Sequence, residues 1–267
     1  MNIKKRLLPA ALIVILTVGC SLLCRETRIF FFMALAVMSA FELESALCAA
    51  GFPADKWIWA VYSILHAALC FIGVPVVWMI ALFLLAEFAI LLRGVLKTSL
   101  GGKYAVAALF GLAWPFGFYA AVLHAAASEA WLPVLTLGIL GSWACDCMAL
   151  IGGKYFGRRK LAPKVSPNKT WEGAATGAVF SVLAGYLIHL ILKSFYPVPA
   201  LECVVITLAA STLGQVGDLA ASLIKRMAGL KDYAHLMPEH GGIMDKMDSM
   251  LFSIPAAYLG MYIFGLL

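Results

Sequence analysis

Apolar residues run along this chain in long stretches of about twenty, parted by short basic segments. That is the length needed to cross the hydrocarbon core of a bilayer as a helix. Nine such stretches can be drawn: Leu7 to Cys24, Ile29 to Ala50, Trp57 to Gly73, Val74 to Leu92, Tyr104 to Ala127, Trp131 to Ile151, Gly173 to Leu192, Ala200 to Leu223, and Ile243 to Leu267. The pattern predicts an all-α fold, a polytopic transmembrane helical bundle of about nine spans. Gly73 and Pro75 part the third span from the fourth, and Trp114-Pro115 predicts a kink or turn in the fifth.

Composition agrees, with 63% apolar residues and 13% charged among 267. Charge adds an orientation. With nine spans and Lys4-Lys5-Arg6 on the cytoplasmic side, all but Arg25, Arg28 and Lys193 of the 20 basic residues fall on that side, as the positive-inside bias requires. The first stretch stays apolar through Leu23 and reads as a span rather than a signal peptide, although Thr17 to Cys20 loosely resembles a lipoprotein cleavage site. The seven cysteines are odd in number and lie mostly within spans, which predicts small core residues rather than a disulfide framework. No Walker A, G-x-G-x-x-G or nucleophile-elbow sequence is present, so a nucleotide would have to bind at the cytoplasmic mouth of the membrane fold.

An ionised group is costly in a bilayer, so the position of each acid is informative. Glu42, Glu44 and Glu87 read as structural, through pairing or solvation at the interface, Glu87 lying near Arg93. Asp146, Asp218, Asp245 and Asp248 lie toward one membrane side on separate spans, with the last two at i, i+3 and so on one helical face. Acids converging at one depth require a cation between them, which predicts a magnesium site; private pairing with a nearby Lys or Arg is the alternative. Asp218, Ser222 and Lys225 form one stripe on span eight, and Arg226 and Lys231 follow. Ser166-Pro167 reads as a helix N-cap and first turn, setting Lys169 and Thr170 where free amides favour an anion. His240-Gly241-Gly242 offers a second close backbone approach, and Gly173 with Gly177 reads as a helix-packing pair. Residues 1–130 read as scaffold helices, and 131–267 as the catalytic region with cytoplasmic loops 152–172 and 224–242.

These residues resemble the phosphatidate cytidylyltransferases, or CDP-diacylglycerol synthases. The signature of that family, S-x-x-K-R-x-x-x-x-K-D followed by P-x-H-G-G-x-x-D-R-x-D, is matched by Ser222, Lys225, Arg226, Lys231, Asp232, Pro238, His240, Gly241, Gly242, Asp245 and Asp248. Lys246 stands where the family has Arg, keeping the charge without the bidentate fork. A second motif, from Gly157 to Gly173, also resembles the family, and the likeness covers about Ser142 to Ser249. The resemblance implies transfer of CMP from CTP to phosphatidate in phospholipid biosynthesis, with Mg2+ and a monovalent cation such as K+. It implies Asp218 and Asp245 as metal ligands, with Asp146 and Asp248 beside or behind them. Lys169, Lys225, Arg226, Lys231 and His240 would face phosphates, and Ser166, Thr170, Ser222 and the Gly241-Gly242 amides would orient them. The expected setting is a bacterial cytoplasmic membrane with the active site facing the cytoplasm, a homodimer, and no nucleic-acid partner. A cation-coupled transporter, a CTP-dependent lipid kinase and a cytidylyltransferase for another lipid phosphate are the competing readings.

Overall fold

The computed structural model describes residues 15–97, 101–234 and 241–267. Among the described residues, six helices are long and apolar enough to cross a membrane: α1 (Arg25–Ala49), α3 (Val76–Leu96), α4 (Gly101–Ala127), α5 (Trp131–Phe156), α6 (Trp171–Leu192) and α7 (Ala200–Met227). Between α1 and α3 lies α2 (Lys56–Ile72), apolar but shorter. The chain is an integral membrane protein and nearly all helical. Of the first expected span, residues 15–22 are helical and Leu7 to Val14 lie outside the described residues, as do Lys4, Lys5 and Arg6.

Three expectations require correction. Ser166 and Pro167 do not open a helix: Ser166–Thr170 is strand β2, antiparallel to β1 (Lys160–Ala162), and Thr170 caps α6 by accepting the Gly173 amide at 3.1 Å. Pro167 lacks an N–H to donate, but a proline is tolerated near the start of an edge strand. The last stretch is not one helix but α8 (Met244–Met247) and α9 (Met250–Ile263), parted by a turn at Asp248 and Ser249. Asp248 Oδ1 accepts the Ser249 amide at 2.7 Å, a local side-chain bond that competes with the helical ladder. Asp245 and Asp248 therefore do not share a continuous helical face.

The chain forms two compact units, divided within α7 between Leu223 and Ile224 and again after Lys246. The first comprises Met1–Ser128 and Ile224–Lys246. Here Asp55 caps α2 by accepting the Trp57 amide at 3.0 Å, and Gly73 ends that helix at φ +77, where a side chain would be strained. Trp59 is fully buried, donates Nε1–H to the Ala108 carbonyl at 3.0 Å and stacks on Phe116 at 5.2 Å. Its ring fills the space that any Cβ on Gly111 would need. At Trp114-Pro115 the backbone leaves the helical region (Trp114 φ −141, ψ 124), which is the expected kink. Glu44 pairs with Lys56 at 2.6 Å, as a structural acid; Arg93 pairs with Asp55 at 2.7 Å rather than with Glu87.

Arg25 and Arg28 act as staples in this unit. Arg25 donates to the Ala127 carbonyl at 3.0 Å and the Cys70 carbonyl at 2.6 Å, and Arg28 donates to Ala126 at 2.9 Å. These carbonyls end α4 and α2, where the last turn lacks intrahelical donors. Arg25→Ala is expected to cost about 1–3 kcal/mol by orphaning the Cys70 and Ala127 carbonyls, seen as a lower midpoint of thermal unfolding in detergent.

The second unit comprises Glu129–Leu223 and Met247–Leu267. Its seam is a row of small residues between α5 and α6. A Cβ on Gly173 would come within 2.6 Å of the Ala149 carbonyl oxygen, and one on Gly177 within 2.7 Å of that of Cys145, so the expected glycine pair does pack helices. The seven cysteines are free; Cys145 is buried while Cys147 faces outward.

Candidate active site

In the first unit, the loop before α8 is held by two carboxylates. Glu42, only 5% exposed and set in the apolar run of α1, accepts the amides of Ile243 and Met244, each at 2.8 Å. Asp245 Oδ2 accepts the amides of Gly242 at 2.8 Å and Tyr233 at 2.9 Å, while Oδ1 pairs with Lys225 Nζ at 2.6 Å. The Lys225 ammonium also lies 5.6 Å from the centre of the Tyr233 ring, within cation–π range. Both glycines are required: Gly241 sits at φ +77, and a Cβ on Gly242 would meet the Glu42 carboxylate. The Gly242 amide expected to face an anion thus faces Asp245. Both Asp245 oxygens are engaged within the protein, and Asp245 and Lys225 neutralise each other with side chains 6% and 10% exposed.

In the second unit, Lys169 leaves β2 one residue before the Thr170 cap and pairs with Asp218 Oδ2 at 2.5 Å. Ser222, one turn further along α7, donates to Asp218 Oδ1 at 3.4 Å. Asp146 lies in electrostatic reach of Lys169 and Asp218 and beside the Ser249 side chain. Small residues let the backbones approach: a Cβ on Gly214 would come within 2.6 Å of Ser142 Oγ, and one on Gly217 would collide with the Asp248 carbonyl. Gln215 on the same helix donates to Cys145 Sγ at 3.1 Å. Two acids therefore share one lysine, a cluster with a formal deficit of positive charge and only oxygen donors.

The remaining expected residues are dispersed. Ser166 opens β2, Thr170 is occupied as a cap, and Arg226 donates to the Leu230 carbonyl at 2.9 Å, closing the turn after α7. Lys231 is exposed, and Pro238 and His240 lie outside the described residues. Among the described residues no three His, Cys, Asp or Glu side chains converge closely enough to hold a metal ion. Sequence reasoning assigned Glu42, Tyr233 and Ser249 no part in the site. Glu42 carried a signal, as an acid within an apolar span, but its partner loop is about 200 residues away.

These features define a class: an integral membrane protein whose acid–lysine clusters suit the handling of anionic groups in a low dielectric. The chain belongs to the cytidylyltransferase family, whose model matches residues 4–264. Relatives named phosphatidate cytidylyltransferase include one from Bacillus subtilis, 41% identical over 46% of this chain and 45% of its own length. Others are from Rickettsia felis, 36% identical over 48% and 57%, and Brucella abortus, 40% identical over 46% and 43%. The chain spans about half the length of the relatives it matches.

Proposed function

We propose that this protein is a phosphatidate cytidylyltransferase, joining CTP and phosphatidate to give CDP-diacylglycerol and pyrophosphate. The observation that carries the reading is the Asp146, Lys169 and Asp218 cluster, its two acids on apolar helices and its lysine on β2, in a cytidylyltransferase-family chain. A phosphate oxygen of the lipid attacks the α-phosphorus of CTP; a new P–O bond forms as the bond to the β-phosphate bridging oxygen breaks, and pyrophosphate leaves. The attacking group is already anionic, so no strong base is needed; cationic neutralisation of both polyanions is. Lys169 supplies that charge beside Asp218; Lys225, held by Asp245, and Arg226, Lys231 and His240 come from the resemblance as further phosphate contacts. Ser222 orients Asp218.

Mg2+ suits the hard oxygen donors of Asp146, Asp218, Ser222 and Ser249, and when bound would neutralise phosphate charge as a Lewis acid. Asp245, expected from the resemblance as a metal ligand, is read instead as the group that holds Lys225 and the loop at Gly242. The reading places the catalytic region in 131–267. It includes nine spans, a cytoplasmic N-terminus and an active site facing the cytoplasm of a bacterial inner membrane, as the distribution of Lys and Arg favours. A homodimer and a monovalent cation belong to it as well.

The test is direct. Purified protein given labelled CTP and phosphatidate should form labelled CDP-diacylglycerol with magnesium and not after chelation; no such product with magnesium present overturns the reading.

A further inference from the structure

Apart from the Asp146, Lys169 and Asp218 cluster, the second unit carries an open groove of about 1040 Å³ lined by Tyr155, Phe156, Arg158, Arg159, Trp171 and Glu172. We propose that this groove binds the headgroup of an anionic bilayer phospholipid, at a site separate from Asp146, Lys169 and Asp218, none of which lines it.

Three observations support a charged lipid as the occupant. First, Tyr155, Phe156 and Trp171 are 72%, 67% and 60% exposed at the adjoining ends of two spanning helices, where aromatic side chains mark the level of lipid headgroups. Second, the groove's one acid is already engaged. The Glu172 carboxylate accepts the amides of Arg158 at 3.0 Å and Arg159 at 3.1 Å, and the Arg159 carbonyl in turn accepts the Trp171 amide at 3.0 Å. These bonds fix the loop while leaving both guanidinium groups without an ion pair among the described residues. Two adjacent arginine forks match the geometry of a phosphate.

Third, the apolar surface continues away from the groove. Ile151 on α5, four residues before Tyr155, and Val179 on α6, four residues after the groove-lining Ala175, are 46% and 68% exposed and share the faces of those residues, a surface that acyl chains can cover and that free phosphate would not use. The occupant therefore has a phosphate and hydrocarbon tails. Lys154, 5.9 Å from the Tyr155 ring, adds to the positive field.

Native mass spectrometry of the purified full chain, with phosphatidylglycerol or phosphatidylcholine at equal concentration, tests this without turnover, so its outcome is independent of the proposed reaction. The protein should retain phosphatidylglycerol preferentially. Arg158→Gln with Arg159→Gln should cut that retention by roughly fivefold per arginine, leaving phosphatidylcholine unchanged. Lys193→Gln, at the other end of α6, should have no effect. Where the double variant is not monodisperse, the two single variants are read in its place. Equal retention of both lipids, a preference that survives loss of the arginines, or an equal loss in Lys193→Gln overturns the proposal. So does displacement of the lipid by millimolar inorganic phosphate, which would make the site one for the free anion.

Discussion

Asp218→Asn is expected to lower the rate of CDP-diacylglycerol formation by about 10²- to 10³-fold, with little change in the unfolding midpoint. The substitution keeps the shape of the side chain but removes the charge that Lys169 meets at 2.5 Å and that Ser222 approaches at 3.4 Å. It also takes one of two acids from the proposed cation site, leaving Asp146 as the remaining carboxylate in reach of Lys169. Pyrophosphate release under saturating CTP and phosphatidate measures the effect. A variant working within twofold of the parent would remove Asp218 from the chemistry.

Lys225→Met should have a different signature, because its partner Asp245 is almost completely buried. Breaking such a pair from one side leaves an uncompensated charge and costs about 3–5 kcal/mol. Adding Asp245→Asn to Lys225→Met should recover part of that loss, since an amide can still accept the bonds from Gly242 and Tyr233 without demanding a counter-charge. Activity should stay low in both variants, because the proposed phosphate contact at Lys225 is absent from each. Unfolding in detergent and product formation, measured on the two variants side by side, check the two halves of this expectation. A double variant no more stable than the single one would contradict a structural role for the pair.

Much of the architecture was legible because the membrane makes it so. Where a long apolar run meets bilayer thickness, as in α1, α3 and α7, composition alone defines the helix. The packing role of Gly173 and Gly177 followed from their spacing, and the break at Trp114-Pro115 from proline's missing donor. Local signals failed where two of them competed. Ser166-Pro167 and Thr170 are both plausible caps, and the choice was made by pairing of Lys160 with Thr170 across a hairpin, which extends to the Trp171 amide. The last span failed for a similar reason, as Asp248 captures the next amide.

The site was less legible than the fold. The stripe of Asp218, Ser222 and Lys225 could be placed on one helix, but whether its acids meet cations from the protein or from solution depends on partners far away in the chain. Lys169 for Asp218 is such a partner, and Glu42 for the loop at Ile243 is another. A lone glutamate in α1 has no local feature that distinguishes a solvated acid from one that organises a distant loop.

The length of α7 carries a last consequence. Its 28 residues rise about 42 Å, against roughly 30 Å for the hydrocarbon core. Set upright from its first residue, the helix brings Asp218 to the far hydrocarbon edge and carries Ser222, Lys225 and Arg226 beyond it. Bilayer thickness then acts on the hydration of Asp218: a thicker membrane draws the carboxylate into hydrocarbon, and a thinner one wets it. The acyl composition of the surrounding membrane thereby becomes a physical variable for this site in its own right, apart from any lipid that binds there.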